Sequence, residues 1–113
     1  MIFSADGGFV INDFFYPTKF RYLPRRNETK LYIKYMSNMG YTVRYINGYF
    51  EGGDIIFNKK HLYILIGYDK RTTLSGASDF KNKIIQDNNI QNIILLKLIY
   101  PYFYHLRYLY ENN

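Results

Sequence analysis

Phe50-Glu51-Gly52-Gly53-Asp54-Ile55-Ile56-Phe57 is the stretch on which the reading of this chain turns. Two carboxylates stand three positions apart, separated only by glycines, and lead into a short apolar run with the character of a buried strand. Glycine lets the backbone turn sharply and lets another group come close. A carboxylate at the mouth of a strand, beside such a turn, is where a cationic group can be held. A loop that enters a strand with solvated acids is the plainer alternative, and the rest of the chain has to decide between them.

Working outward, the pattern on either side repeats. Asp54 to Phe57 reads as a strand, Asn58-Lys59 as a turn and Leu62 to Gly67 as the partner strand. A helix follows from about Thr73 to Asp87, with Thr72 as N-cap and Leu74, Ala77, Ile84 and Ile85 on one side. Ile93 to Leu98 is a continuous apolar run suited to a strand buried on both faces. The first half has the same order. Phe9 to Ile11 and Phe14 to Tyr16 flank the turn pair Asn12-Asp13, and Pro17 and Pro24 bracket a loop carrying Lys19, Arg21, Arg25 and Arg26. From about Asn27, a potential N-cap, the spacing of Leu31, Tyr32, Tyr35, Met36 and Met39 predicts a helix with one apolar face, and Gly40 is placed to end it in a left-handed conformation. Tyr41 to Ile46 alternates as a strand.

These are two strand-strand-helix-strand units in series, residues 1–48 and 49–99, with the start of a third unit at 100–113. The letters repeat as well: Asp6-Gly7-Gly8-Phe9-Val10-Ile11-Asn12 echoes Glu51-Gly52-Gly53, its strand and Asn58, 45 residues further on. A fixed period of this size marks an architecture in which each unit buries its face against a neighbour. His105 falls at the start of the third unit, on a strand face shared with Arg107 and Leu109.

Composition narrows the chemistry. The 113 residues form one domain with a modest core. No run of about 18 apolar residues is present to span a membrane, and the N-terminal residues do not have the pattern of a secretory signal, so a cytoplasmic location is the default expectation. There is no cysteine, which excludes disulfides, thiolate metal sites and a cysteine nucleophile within these residues. The 15 basic and 9 acidic residues give a net charge of +6. The basic residues are scattered, with Arg25-Arg26 and Lys59-Lys60 the only adjacent pairs. Ile, Tyr, Asn, Lys and Phe are inflated together, as an AT-rich coding sequence would produce, so the charge argues only weakly for nucleic acid. The 14 tyrosines and 9 phenylalanines lack the spacing of a base-stacking platform and suit core packing.

Four motifs in one order then carry a resemblance: Met1-Ile2-Phe3-Ser4-Ala5-Asp6-Gly7-Gly8, Phe50 through Asp54, Gly67 with Arg71-Thr72, and Phe103-Tyr104-His105-Leu106. Together they resemble the amidinotransferase and dimethylarginine dimethylaminohydrolase branch of the pentein superfamily. The resemblance implies an α/β fold, a five-fold pseudosymmetric propeller of ββαβ modules of which this chain would supply about two and a half. It implies chemistry at the guanidinium carbon of arginine or a related compound, through a cysteine nucleophile and a covalent intermediate. By the same match His105 is the general acid and base, Glu51 the acid that pairs with substrate guanidinium and with that histidine, and Asp54 a supporting acid. Phe3 and Asp6 complete the substrate-binding set. No cofactor or metal is implied.

The chain departs from the family in three places. The nucleophilic cysteine, which belongs near the C-terminus of a full-length member, has no counterpart here. The substrate-binding acid that usually precedes the Met-Val-Phe-like segment has none either. Arg107, where many members carry Asp after the His-Leu pair, leans towards the hydrolase-like branch. The expectation is therefore a truncated relative that keeps part of a guanidinium site without turning over alone. One alternative is half of a split enzyme completed by a partner chain that supplies the missing modules and the cysteine; self-association or such a partner would cover the open propeller edges. Another is a binding module for RNA or the ribosome, since the fold also serves in a ribosome-associated translation factor. Other constellations are weaker. His61 follows two lysines in a turn and reads as exposed. Ser75 and Ser78 flank Gly76 without a nucleophile-elbow pattern. Glu51, Asp54 and a histidine match no metal-ligand spacing. Arg71-Thr72 at a helix start suits an anion but reads in the family as a module-joining element.

Overall fold

The computed structural model describes residues 3–5, 7–21, 26–58, 63–69, 71–90 and 92–97. Their order is β1 (Phe3–Ala5), β2 (Gly8–Ile11), β3 (Phe14–Pro17), α1 (Arg26–Asn38), β4 (Thr42–Val43), a 3₁₀ turn (Gly52–Asp54), β5 (Ile55–Asn58), β6 (Tyr63–Tyr68), α2 (Leu74–Asn88) and β7 (Ile93–Lys97). Two sheets result, β1-β2-β3-β4 and β5-β6-β7. In each, an antiparallel hairpin is followed by a helix and by a strand parallel to the hairpin's second member. The repeated β-β-α-β order expected from the pattern is thus present. The short strand β1 adds an antiparallel edge to the first sheet, pairing Phe3 with Val10; three residues without clear alternation gave no signal for it.

Each helix lies on one face of its own sheet. Val10 and Phe15 meet Met36, with Ile33, Tyr41 and Val43 around them, between the first sheet and α1. The larger core gathers the opposite face of that sheet (Phe9, Ile11, Tyr16), α2 (Ala77, Phe80, Ile84) and the inner face of the second sheet (Ile55, Ile64, Ile66, Ile93). Phe80 is its hub. Its ring lies edge-on to Phe9 and Tyr16, at 5.5 and 5.3 Å, and stacks on Phe50 at 4.7 Å.

Helix ends follow local chemistry. At the end of α1 the Gly40 N–H donates to the Ser37 carbonyl and the Tyr41 N–H to the Met36 carbonyl, with Gly40 at φ +97°. This is the double closure that glycine permits, and Met36 and Tyr41 close the apolar contact beneath it. α1 starts at Arg26, so Asn27 lies within its first turn and not at the cap. α2 is capped by Thr73, whose Oγ1 accepts from the Gly76 N–H, one residue beyond the expected Thr72. A Cβ on Gly76 would fall 2.0 Å from the Tyr49 carbonyl oxygen, so only glycine lets the 47–50 loop pass over the helix start.

Three expectations about strands and faces are corrected. Tyr41–Ile46 forms only a two-residue strand, because pairing with β3 is limited to Phe14 and Phe15, although Ile46 still reaches the core. β7 is covered on one face alone: Ile93 is buried, whereas Ile94 and Leu96 are 50% and 39% exposed. α1 has two apolar stripes, and the one that faces the sheet is Ile33 and Met36. Of the expected face only Met36 is buried; Leu31, Tyr35 and Met39 face outward, with Leu31 72% exposed, and the half-exposed Tyr32 ring lies over Gly7. Periodicity reports apolar stripes but not which of them a neighbour covers.

The loop that carries the site is tied to α2 by the Asn47 N–H, which donates to Asp79 Oδ2 at 2.8 Å. Burial pushes the Asp79 carboxyl up, but the Lys83 ammonium, the Asn47 N–H and Arg44 together outweigh it and leave its pKa below the ordinary carboxylate value. A depressed folded-state pKa stabilises above the unfolded value and is lost as pH falls through the folded one. Urea midpoints measured from pH 7 to pH 3 should therefore fall for the wild type, with a shallower fall below about pH 4 in Asp79→Asn. For Phe80→Ala the core loses its hub, and the same titration should show a loss of about 3–5 kcal/mol.

Candidate functional site

Glu51 and Asp54 come together in the tight 3₁₀ turn that precedes β5, and both are buried, at 1% and 0% exposure. Two buried carboxylates in a basic chain require compensation, because burial of an uncompensated charge costs several kcal/mol. Two threonines hold the turn, and Thr72 supplies part of that compensation. Thr72 Oγ1 donates to Asp54 Oδ2 at 2.6 Å and accepts from the Glu51 N–H at 3.0 Å, so one hydroxyl fixes both halves of the turn. Thr18 Oγ1 accepts from the Gly52 N–H at 3.0 Å. The Asp54 N–H closes the turn onto the Glu51 carbonyl at 3.0 Å.

The supports come from distant parts of the chain. Lys19 and Phe50 exchange backbone hydrogen bonds at 2.7 and 3.2 Å, laying the approach to Glu51 against the segment after β3. The Thr18 N–H donates to the Gly7 carbonyl at 3.1 Å. Thr18 therefore joins the Gly7 turn to the Gly52 turn, the two places where the acid-Gly-Gly pattern occurs. On the other side, Thr72 is brought in by a turn in which its carbonyl accepts from the Asp69 N–H at 2.8 Å, with Asp69 itself at φ +97°. Non-glycine residues adopt that conformation only when surrounding structure holds them there.

The charged rim is Arg71. Its guanidinium Nη1 lies 3.6 Å from Glu51 Oε1, and the Arg71 side chain is 36% exposed where Glu51 is buried. A planar cation thus approaches the Glu51 carboxylate from the solvent side. The pair has one member at the surface and the other inside.

Of the expected site residues, the structure brings together Glu51 and Asp54. Phe3 is in β1 of the first sheet, whose strand adjoins the Gly52–Asp54 turn. Asp6, His61 and His105 lie outside the described residues. Thr18, Arg71 and Thr72 complete the corner and were not expected there. Thr72 and Arg71 were visible in the sequence as a pair before a helix, yet nothing local says that their partners are Asp54 and Glu51. Among the described residues no group of three His, Asp or Glu side chains is placed to hold a metal ion. No helix among them is long and apolar enough to cross a membrane.

With this geometry in hand, comparison with known proteins is specific. The N(G),N(G)-dimethylarginine dimethylaminohydrolase of Mycobacterium tuberculosis (strain ATCC 25618 / H37Rv) is 31% identical over 110 residues, covering 94% of this chain and 33% of that protein. The N-terminal domain of ArgZ, a cyanobacterial arginine dihydrolase of the ornithine-ammonia cycle solved with its product, matches 90% of this chain and 37% of that one, with TM-score 0.77 and 26% identity.

The chain belongs to the pentein superfamily.

AgrE, solved with ornithine and NAD+, matches 90% of this pentein chain at TM-score 0.77 and 25% identity, over 15% of its own length. A dimethylarginine dimethylaminohydrolase adduct shares the fold at TM-score 0.71 and 23% identity. No protein-family profile matches the sequence. The chain spans about a third of the length of the curated relative it matches.

The double role of Thr72 gives a sharp test. Thr72→Val keeps the shape but leaves the Asp54 carboxylate and the Glu51 N–H short of a partner inside the protein, and should lower stability by about 2–3 kcal/mol in chemical denaturation. Thr72→Ser, which restores the hydroxyl, should recover most of it.

Proposed function

We propose that these 113 residues carry the guanidinium-binding part of a pentein site, and that they bind arginine or a related guanidino compound without turning it over by themselves. The observation that carries this reading is the buried Glu51 carboxylate, rigidly built into a Gly-Gly turn and approached from solvent by the guanidinium of Arg71. A substrate guanidinium has the same planar donor array and would be received by the same acceptor. Asp54 holds the turn through Thr72. His105 is assigned the proton-transferring role by its position in the family motif. Phe3 and Asp6 are assigned to the substrate side on the same ground.

Relatives support the chemistry. ArgZ has been solved covalently bound to a reaction intermediate, and a cysteine-to-serine variant of it with substrate. The family resemblance assigns a cysteine thiolate as the nucleophile of that intermediate, and none of the 113 residues is cysteine. Turnover would need a thiol from outside them, as in an enzyme whose site is completed by another polypeptide or by additional modules. The exposed apolar faces of α1 and β7 favour protein contacts over RNA binding.

Titration calorimetry with arginine and with dimethylarginine tests the proposal. Wild-type protein should bind one or both, Glu51→Gln should weaken binding at least about tenfold, and no citrulline should form. Equal binding by Glu51→Gln, or citrulline above the level of a His105→Ala control, would contradict it.

A further inference from the structure

Among the described residues one helix-on-sheet interface joins the two repeat units, and each half of it recurs, exposed, elsewhere in the chain. The interface is α2 against the outer face of the first sheet. Phe80 contacts Phe9 and Tyr16 there, and Tyr16 donates to Asp87 at 2.8 Å while Asn12 donates to Asn88 at 3.0 Å. This packing is independent of what the Glu51 corner binds.

The helix half recurs on α1. The two helices end in matched left-handed residues, Gly40 at φ +97° and Asn89 at φ +56°. Aligning these ends, 49 residues apart, places Leu31 at the position of Phe80 and Tyr35 at that of Ile84. In α2 both positions are fully buried. In α1 Leu31 is 72% and Tyr35 61% exposed, with Tyr32 and Met39 beside them. Glu28, Leu31, Tyr32 and Tyr35 line a shallow, largely apolar depression on this face. Tyrosine and methionine are the residue types that interfaces favour over ordinary surface.

The sheet half recurs on the second sheet. Ile64, Ile66, Ile93 and Leu95 face α2, so the alternation of side chains puts Ile56, Leu65, Ile94 and Leu96 on the other face. Ile56 pairs with Leu65 and Leu65 with Ile94, forming one apolar row across all three strands. This is the face that α2 covers on the first sheet. Among the described residues nothing covers it on the second, and Ile94 and Leu96 stand exposed.

We infer that the outer face of α1 in one copy of this chain docks on the outer face of β5-β6-β7 in a second copy, repeating between molecules the contact that α2 makes within one. A second copy fits because the two exposed surfaces are different and complementary in kind, a helix stripe and a sheet face, and the chain already shows that its helix and its sheet pack in this way. The contact is head-to-tail. It leaves a free face of each kind until a ring closes, so assembly proceeds beyond a dimer or ends in a closed ring. Burying apolar surface drives it, and salt, which screens repulsion between +6 chains, strengthens it.

Sedimentation velocity on the full chain tests this, with variants that remove one face each: Leu31→Glu with Tyr35→Glu, and Ile94→Glu with Leu96→Glu. Wild type should assemble with rising concentration from about 1 to 300 µM, and each variant alone should stay monomeric with wild-type circular dichroism. Mixed in equal amounts, the variants should form a dimer and nothing larger, since each keeps the half that the other has lost. A wild type monomeric over the whole range overturns the inference. Assembly of either variant alone, or a mixture that stays monomeric, overturns it too. If glutamate unfolds a variant, Leu31→Gln and Ile94→Thr replace the pairs, and each should weaken wild-type assembly at least about tenfold.

Discussion

The structure depends on α2 being held on two sides at once. Its own sheet supplies Ile64, Ile66 and Ile93, and the preceding unit supplies Phe9, Ile11 and Tyr16. Phe80 is in contact across this junction, and the polar cluster of Tyr16, Arg44, Asp87 and Asn88 locks the far end of the helix to the β2–β3 hairpin. Tyr16 shows how closed that end is: burial first, and then the adjacent Asp87 carboxylate, push its phenol well above the ordinary range. The first unit closes a small core of its own under α1, but the larger core is shared between the two units, as expected of repeats that bury their faces on neighbours.

The acid corner follows from the same docking. The chain leaves β4, passes over the start of α2 where Gly76 leaves room, pairs with Lys19 through Phe50 and turns at Gly52-Gly53. Glu51 and Asp54 therefore lie at the seam between the units, with Thr18 from one and Thr72 from the other. Thr18 holds the Gly52 N–H and Thr72 the Glu51 N–H, so the turn is fixed from either side, and the Glu51 carboxylate meets a cation at its outer edge. That cation is Arg71.

Much of this was legible in the letters. The acid-Gly-Gly echo and the strand-strand-helix-strand order gave the repeat, and Gly40 gave a helix end. The family motifs pointed to Glu51 and Asp54. What local pattern could not supply was pairing across the seam. Thr72 reads as a helix cap, because a threonine before a helix usually is one, but the cap is Thr73 and Thr72 belongs to Asp54. Leu31, Tyr35, Ile94 and Leu96 read as core because apolar letters at the right spacing look alike whether or not a neighbour covers them. In a repeat fold the sequence of one unit describes surfaces that only the next unit completes.

The claim at the centre of this account is that the Glu51 corner receives a guanidinium from solution. Amide chemical shifts followed by NMR during an arginine titration locate the ligand directly. The Glu51, Gly52, Gly53 and Thr72 amides should move together and saturate with one affinity, while those of Leu31 and Tyr35 on the outer face of α1 stay in place. Shifts confined to surface lysines and arginines, or none at the corner at saturating arginine, would contradict it.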